Sequence, residues 1–121
     1  MTFSRSLPFI VLAVLAAGCA TTPDAPSRPL RLEIGPTRIA EECFALAAGE
    51  RIDYQFEATT AVDFNLHTHR GNDIITPVDV KRTRAQAGVF ASPAAESYCM
   101  MWTNVGAVPA HVIGQWRRLR R

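Results

Sequence analysis

Arg51-Ile52-Asp53-Tyr54-Gln55-Phe56-Glu57, then Ala58-Thr59-Thr60-Ala61, then Val62-Asp63-Phe64-Asn65-Leu66-His67-Thr68-His69 is the stretch that decides the fold. In the first run Ile52, Tyr54 and Phe56 alternate with Arg51, Asp53, Gln55 and Glu57. In the last run Val62, Phe64, Leu66 and Thr68 alternate with Asp63, Asn65, His67 and His69. Successive side chains of a strand point to opposite faces, so each run reads as a strand with one buried face and one polar face. Ala58 to Ala61 reads as a short connection, and the pair is expected to form an antiparallel hairpin.

The same period of two recurs on both sides. Leu30, Leu32 and Ile34 alternate with Arg31 and Glu33, and Phe44 and Leu46 follow Cys43. Beyond the turn Arg70-Gly71-Asn72-Asp73, Ile74 to Thr83 continues past Pro77, a residue that suits an edge strand or a bulge. Gly88 to Ala91 reads as a brief strand, Glu96 to Asn104 as another, and His111 to Arg117 as the last. Seven or eight short strands at this spacing predict an all-β fold, an antiparallel β-sandwich or small jelly-roll.

Cys43-Phe44, Gly49, Tyr54-x-Phe56 and the late Tyr98-Cys99 with Trp102 also resemble the small extracytoplasmic β-sandwich modules of the GOLD and bacterial pre-peptidase C-terminal type. The resemblance spans most of Leu30 to Arg118. It implies the sandwich fold and fixes no catalytic residue, since function does not follow from fold.

The chain has 121 residues, 48% of them hydrophobic and 20% charged, the composition of one globular domain. Its formal charge is +2, and Lys81 is the only lysine. That balance argues against a nucleic-acid partner.

Four segments are expected: a signal peptide over 1–18, a tether over 19–29, a β-sandwich domain over 30–116 and a basic tail over 117–121. Leu7 to Ala17 is apolar apart from Pro8 and is too short for a membrane-spanning helix, which needs about 20 residues. Leu15-Ala16-Ala17-Gly18-Cys19 resembles the lipobox of bacterial lipoproteins. That resemblance implies acylation of Cys19 with palmitate-type chains, and Ala20 after it implies the outer membrane of a Gram-negative cell, facing the periplasm. Such multiple acylation exceeds the two signals needed for a stable anchor, so the membrane partner would be reached through N-terminal lipid alone. Pro23, Pro26 and Pro29 give the tether an extended, unpacked composition.

Lipidation of Cys19 leaves Cys43 and Cys99, and in an oxidising compartment a Cys43–Cys99 disulfide is expected. No Cys-x-x-Cys spacing supports a redox or metal pair instead.

His67 and His69 project from one face of one strand, about 7 Å apart by the rise per residue, and could converge on copper or zinc. A third ligand would come from His111, Met100, Met101 or Asp63. Against this stands a structural role for the same row in cross-strand hydrogen bonds. Asp63, Asn65 and Met101 complete a candidate binding face. Met100 is expected in the core with Tyr98 and Trp102, and Met101 on the other side. Arg117, Arg118, Arg120 and Arg121 form a basic end that could attract lipopolysaccharide phosphates or peptidoglycan carboxylates, or remain solvated. No nucleophile stands beside a histidine.

These features point to an outer-membrane lipoprotein with a non-catalytic binding or envelope-structural module. Its partners would be an envelope protein, lipopolysaccharide or peptidoglycan, and it would need no cofactor. Periplasmic copper or zinc binding through His67 and His69 is the alternative. The sequence is silent on oligomeric state.

Overall fold

The computed structural model describes residues 18, 19 and 23–120. The expected signal peptide therefore lies outside the described residues except for Gly18, and of the lipobox only Gly18 and Cys19 are described. The strands are β1 (Arg28–Ile34), β2 (Ile39–Leu46), β3 (Arg51–Arg70), β4 (Asp73–Ala91), β5 (Glu96–Asn104) and β6 (Ala110–Leu119). Every pairing among them is antiparallel. Among the described residues no helix is long and apolar enough to cross a membrane.

The two alternating runs of the central stretch are one strand of 20 residues, not a hairpin. Ala58-Thr59-Thr60-Ala61 carries no glycine, proline, asparagine or aspartate to turn on, and its β-branched threonines favour extended backbone. The chain bends there instead. The β3–β4 register shifts between Glu57 and Val62, and Arg82 opposite the bend has a positive φ of 50°. Asp63 Oδ1 accepts the Arg82 amide at 2.9 Å, satisfying a donor that the bulge removes from the ladder. The hairpin turn falls at Gly71, whose φ of 60° suits glycine.

Because β3 and β4 both bend, each contributes to two layers. Residues 51–58 of β3 pair with β6, which pairs with β1, while 62–68 pair with β5, which pairs with β2. β4 follows β3 along its other edge through both halves. The expected seven or eight short strands are thus six continuous ones, and each layer holds four segments.

Even-numbered residues of β3 face inward on both sides of the bend: Ile52, Tyr54, Phe56, Val62, Phe64 and Leu66 are all buried. They meet Tyr98, Met100 and Trp102 from β5, Val112 and Trp116 from β6, and Phe44 and Leu46 from β2. Aromatic rings join the layers: Phe44 of β2 lies 4.7 Å from Trp116 of β6, and Phe56 meets Trp102 edge-on at 5.7 Å. Each such side chain contributes roughly 1.5–3 kcal/mol by burial. The indole N–H groups of Trp102 and Trp116 are buried without an acceptor, so both tryptophans act through their rings: both pack in the core, and Trp116 also carries the Arg28 guanidinium 5.3 Å from its ring centroid.

Cys43 and Cys99 are bonded, as expected, across an interval of 56 positions. They are direct partners in the β2–β5 register, with Cα atoms 4.1 Å apart. Both are odd-numbered on strands whose inner face is even, so the bond staples two strands on the outside of one layer.

The ends are more ordered than expected. β1 begins at Arg28, and Ala25 donates to the Arg118 carbonyl at 3.2 Å, which lays part of the expected tether along β6. β6 extends to Leu119. Arg117 pairs with Asp53 at 3.4 Å and Asp24 at 3.9 Å, and Arg118 pairs with Glu50 at 3.5 Å. Their charge is matched by neighbours rather than presented free.

Candidate functional site

The polar row of β3 divides by role. His67 is only 6% exposed, while His69 is exposed, and their ring centroids are 5.2 Å apart. His67 Nδ1 donates to Asn65 Oδ1 at 2.8 Å, so Asn65 fixes the imidazole. Asp63 holds the Arg82 bulge and lies 3.8 Å from Lys81, which pairs more closely with Asp79 at 2.9 Å. The predicted alternation between Met100 and Met101 holds: Met100 is fully buried and Met101 half-buried, opposite Glu41 and Asn65.

His111 does not join the other histidines. It stands on β6 and projects outward from the other layer, where its amide donates to Thr59 Oγ1 at 2.9 Å. The bend in β3, unrecognised as such in the sequence, is what separates them. Among the described residues, the one group of three metal-ligating side chains in mutual reach is Glu41, Cys43 and Cys99, within 4.8 Å of one another. Both of its sulfurs are engaged in the disulfide. Glu41 was readable only as Glu41-x-Cys43, a spacing that puts both side chains on one strand face.

A concavity lies on the outside of the β1–β6–β3–β4 layer. It is a groove of about 460 Å³ lined by Gln55, Glu57, Ala85, Ala87, Ile113 and Gly114. β3 forms its floor. Ile113 on β6 stands opposite Glu57 on one side, and Ala85 and Ala87 on β4 stand opposite Glu57 and Gln55 on the other. The alanines are short, so the floor stays open. Ile113 is 57% exposed, an apolar side chain between an amide and a carboxylate. Gln115 continues the amide row beside Gln55. Sequence alternation marks these residues as outward-facing, but their grouping depends on β6 and β4 flanking the same half of β3.

A polar cluster closes one end of the sandwich. Arg70 at the end of β3 forks onto Glu96 at the start of β5, with Nη2 to Oε2 at 3.1 Å. Tyr98 donates to the same carboxylate at 2.8 Å, and Ser92 Oγ donates to Tyr98 at 3.2 Å. The Arg70 hydrogen bond, with that of Tyr98, holds the Glu96 carboxyl below the usual range. Burial pushes the Tyr98 phenol up. The cluster ties strand ends together.

No protein-family model matches the chain, and no curated protein is similar to it. Solved structures are similar in fold. The pre-peptidase C-terminal domain of a collagenase from Bacillus anthracis aligns with a TM-score of 0.58 at 10% identity, covering 74% of this chain and 88% of that one. The Yersinia pseudotuberculosis-derived mitogen aligns at 0.56 and 10% identity, over 79% and 86%. PliG of Aeromonas hydrophila, a periplasmic inhibitor of g-type lysozyme, aligns at 0.54 and 13% identity, over 74% and 85%. The chain is an antiparallel β-sandwich of the shape that these proteins share, including the pre-peptidase C-terminal type that the sequence resembles.

Proposed function

We propose that this chain is a non-catalytic periplasmic binding module, held to the outer membrane through lipid on Cys19, which takes its ligand in the groove between β6 and β4. The observation that carries the proposal is the groove itself: an exposed Ile113 flanked by Gln55, Gln115 and Glu57 over a floor left open by Ala85 and Ala87. Amides and a carboxylate beside one apolar side chain suit a neutral ligand rich in hydroxyl and acetamido groups. The glycan of peptidoglycan has that chemistry. Lipopolysaccharide phosphates fit less well, because Glu57 would repel them and Arg117 and Arg118 are paired with acids. A lysozyme inhibitor with a similar sandwich is a precedent for binding on this shape.

Co-sedimentation tests this directly. The full chain carrying Cys19→Ser, solubilised in detergent, is expected to pellet with purified peptidoglycan sacculi but not with lipopolysaccharide. Ile113→Asp should release it. Pelleting that Ile113→Asp leaves unchanged would place binding elsewhere. Acyl labelling of the unaltered chain, lost in Cys19→Ser, tests the anchor separately.

A further inference from the structure

The outside of the other layer carries a cluster that the groove does not use. Glu41 and Cys43 share a face of β2, Cys99 faces Cys43 from β5, and His67 faces Cys99 from β3. The Glu41 carboxylate and the two sulfurs lie within 4.8 Å of one another, and His67 Nε2 is 3.8 Å from Glu41 Oε1. Asn65 Oδ1 accepts from His67 Nδ1 at 2.8 Å. In the neutral imidazole the lone pair then belongs to Nε2, which is turned toward Glu41.

That arrangement is the outer support of a metal-ligating histidine: one ring nitrogen donates to a fixed oxygen, so the other is presented as a ligand. Nε2 and the Glu41 carboxylate are two acceptors facing each other, and a cation between them relieves the repulsion. Thiolates, imidazole and carboxylate together are the ligand types of a four-coordinate zinc site. In the oxidised chain the sulfurs are bonded to one another and cannot serve as thiolates.

We propose that reduction of the Cys43–Cys99 disulfide converts this face into a zinc site, with both thiolates, His67 Nε2 and the Glu41 carboxylate as ligands. The reductant is a dithiol. Its thiolate attacks the exposed Cys43 sulfur, breaking the S–S bond and forming a mixed disulfide while Cys99 leaves. The second thiol of the reductant then displaces Cys43 and closes the reductant's own disulfide. Two electrons and two protons reach the protein, and zinc binding releases the two thiol protons. The site therefore reports the redox state of its surroundings, independently of any ligand in the groove.

The test uses the detergent-solubilised full chain carrying Cys19→Ser, so that only these two cysteines remain. The chain is reduced with a dithiol, desalted under nitrogen and titrated with cobalt(II), then with zinc(II). The reduced chain is expected to bind one equivalent of cobalt with a thiolate-to-metal charge-transfer band, which zinc abolishes. The oxidised chain shows no such band. His67→Ala and Glu41→Gln each weaken the reduced site by about tenfold or more, and Cys43→Ser with Cys99→Ser removes the band. Absence of the band in the reduced chain, or unchanged affinity in either the His67 or the Glu41 variant, overturns the proposed ligand set. Circular dichroism follows the same samples, and a reduced chain that is unfolded and does not refold with zinc also overturns it.

Discussion

Asn104 Nδ2 donates to the Ile34 carbonyl at 2.9 Å, joining the end of β5 to the end of β1 across 70 positions. The same amide group donates to the Val108 carbonyl at 2.7 Å, and Asn104 Oδ1 accepts the Gly106 amide at 2.9 Å. A buried side chain thus satisfies backbone groups of two turns at once. Asn104→Ala would leave carbonyls unpaired in a dry setting and is expected to cost about 2–4 kcal/mol. Urea unfolding measures it, and a loss near zero would mean that water replaces the amide.

Gly114 is required for a different reason. A Cβ there would lie 2.1 Å from the Gln55 carbonyl oxygen and 2.7 Å from Phe56 Cα, both backbone atoms that cannot step aside. Gly114→Ala should force β6 away from β3 and destabilise the chain by about 3 kcal/mol. At Gly88 the nearest atom to an added Cβ is the Tyr54 hydroxyl at 2.8 Å, the end of a side chain that can move. Gly88→Ala is expected to cost distinctly less, and thermal unfolding of the pair checks the order.

The fold class was legible in the sequence because alternation is local. Ile52 to Phe56 and Val62 to Leu66 announce their buried faces without reference to anything distant, and the cysteine count plus compartment announced the disulfide. The bend was not legible. Whether Ala58-Thr59-Thr60-Ala61 turns or bends depends on which strands pair beside it, and those are distant in sequence, as with Glu57 and Ile113. That one difference carried through to the site. β5 and β6 both pair with β3 in one sheet, one on each side of the bend, so the bend sends His67 and His111 to opposite layers and sets Ile113 beside the first half of β3. Asn104 gave no signal, since a polar residue closing a strand reads as an ordinary turn position.

Acid should weaken the end cluster. Glu96 is held below its ordinary value of 4.5 by Arg70 and then Tyr98. A carboxyl depressed on folding stabilises the chain above its unfolded value, and that contribution is lost as pH falls through the lower, folded one. The melting temperature should therefore decline more steeply below about pH 4.5 in the unaltered chain than in Glu96→Gln, which should already be less stable at neutral pH. Parallel slopes for the two proteins would show that the Arg70–Glu96 pair does not contribute.

The disulfide sits outside the core, so removing it opens no cavity and leaves only the loss of chain constraint. Cys43→Ala with Cys99→Ala should cost about 4 kcal/mol from the loop-closure model. A domain of this size has about 5–15 kcal/mol in total, so the variant is expected to remain folded with a lower denaturation midpoint. Unfolding of the double variant in native buffer would contradict an external, purely constraining bond.

The central claim is that the groove between β6 and β4 is the binding face. The most direct measurement is titration of the isotope-labelled chain with soluble glycan fragments of peptidoglycan, following backbone amide shifts. The expected result is saturable shifts at Gln55, Glu57, Ala85, Ala87 and Ile113, with His67 and His69 on the opposite layer unmoved. Shifts confined to the histidine layer, or no shifts at millimolar fragment, would contradict it.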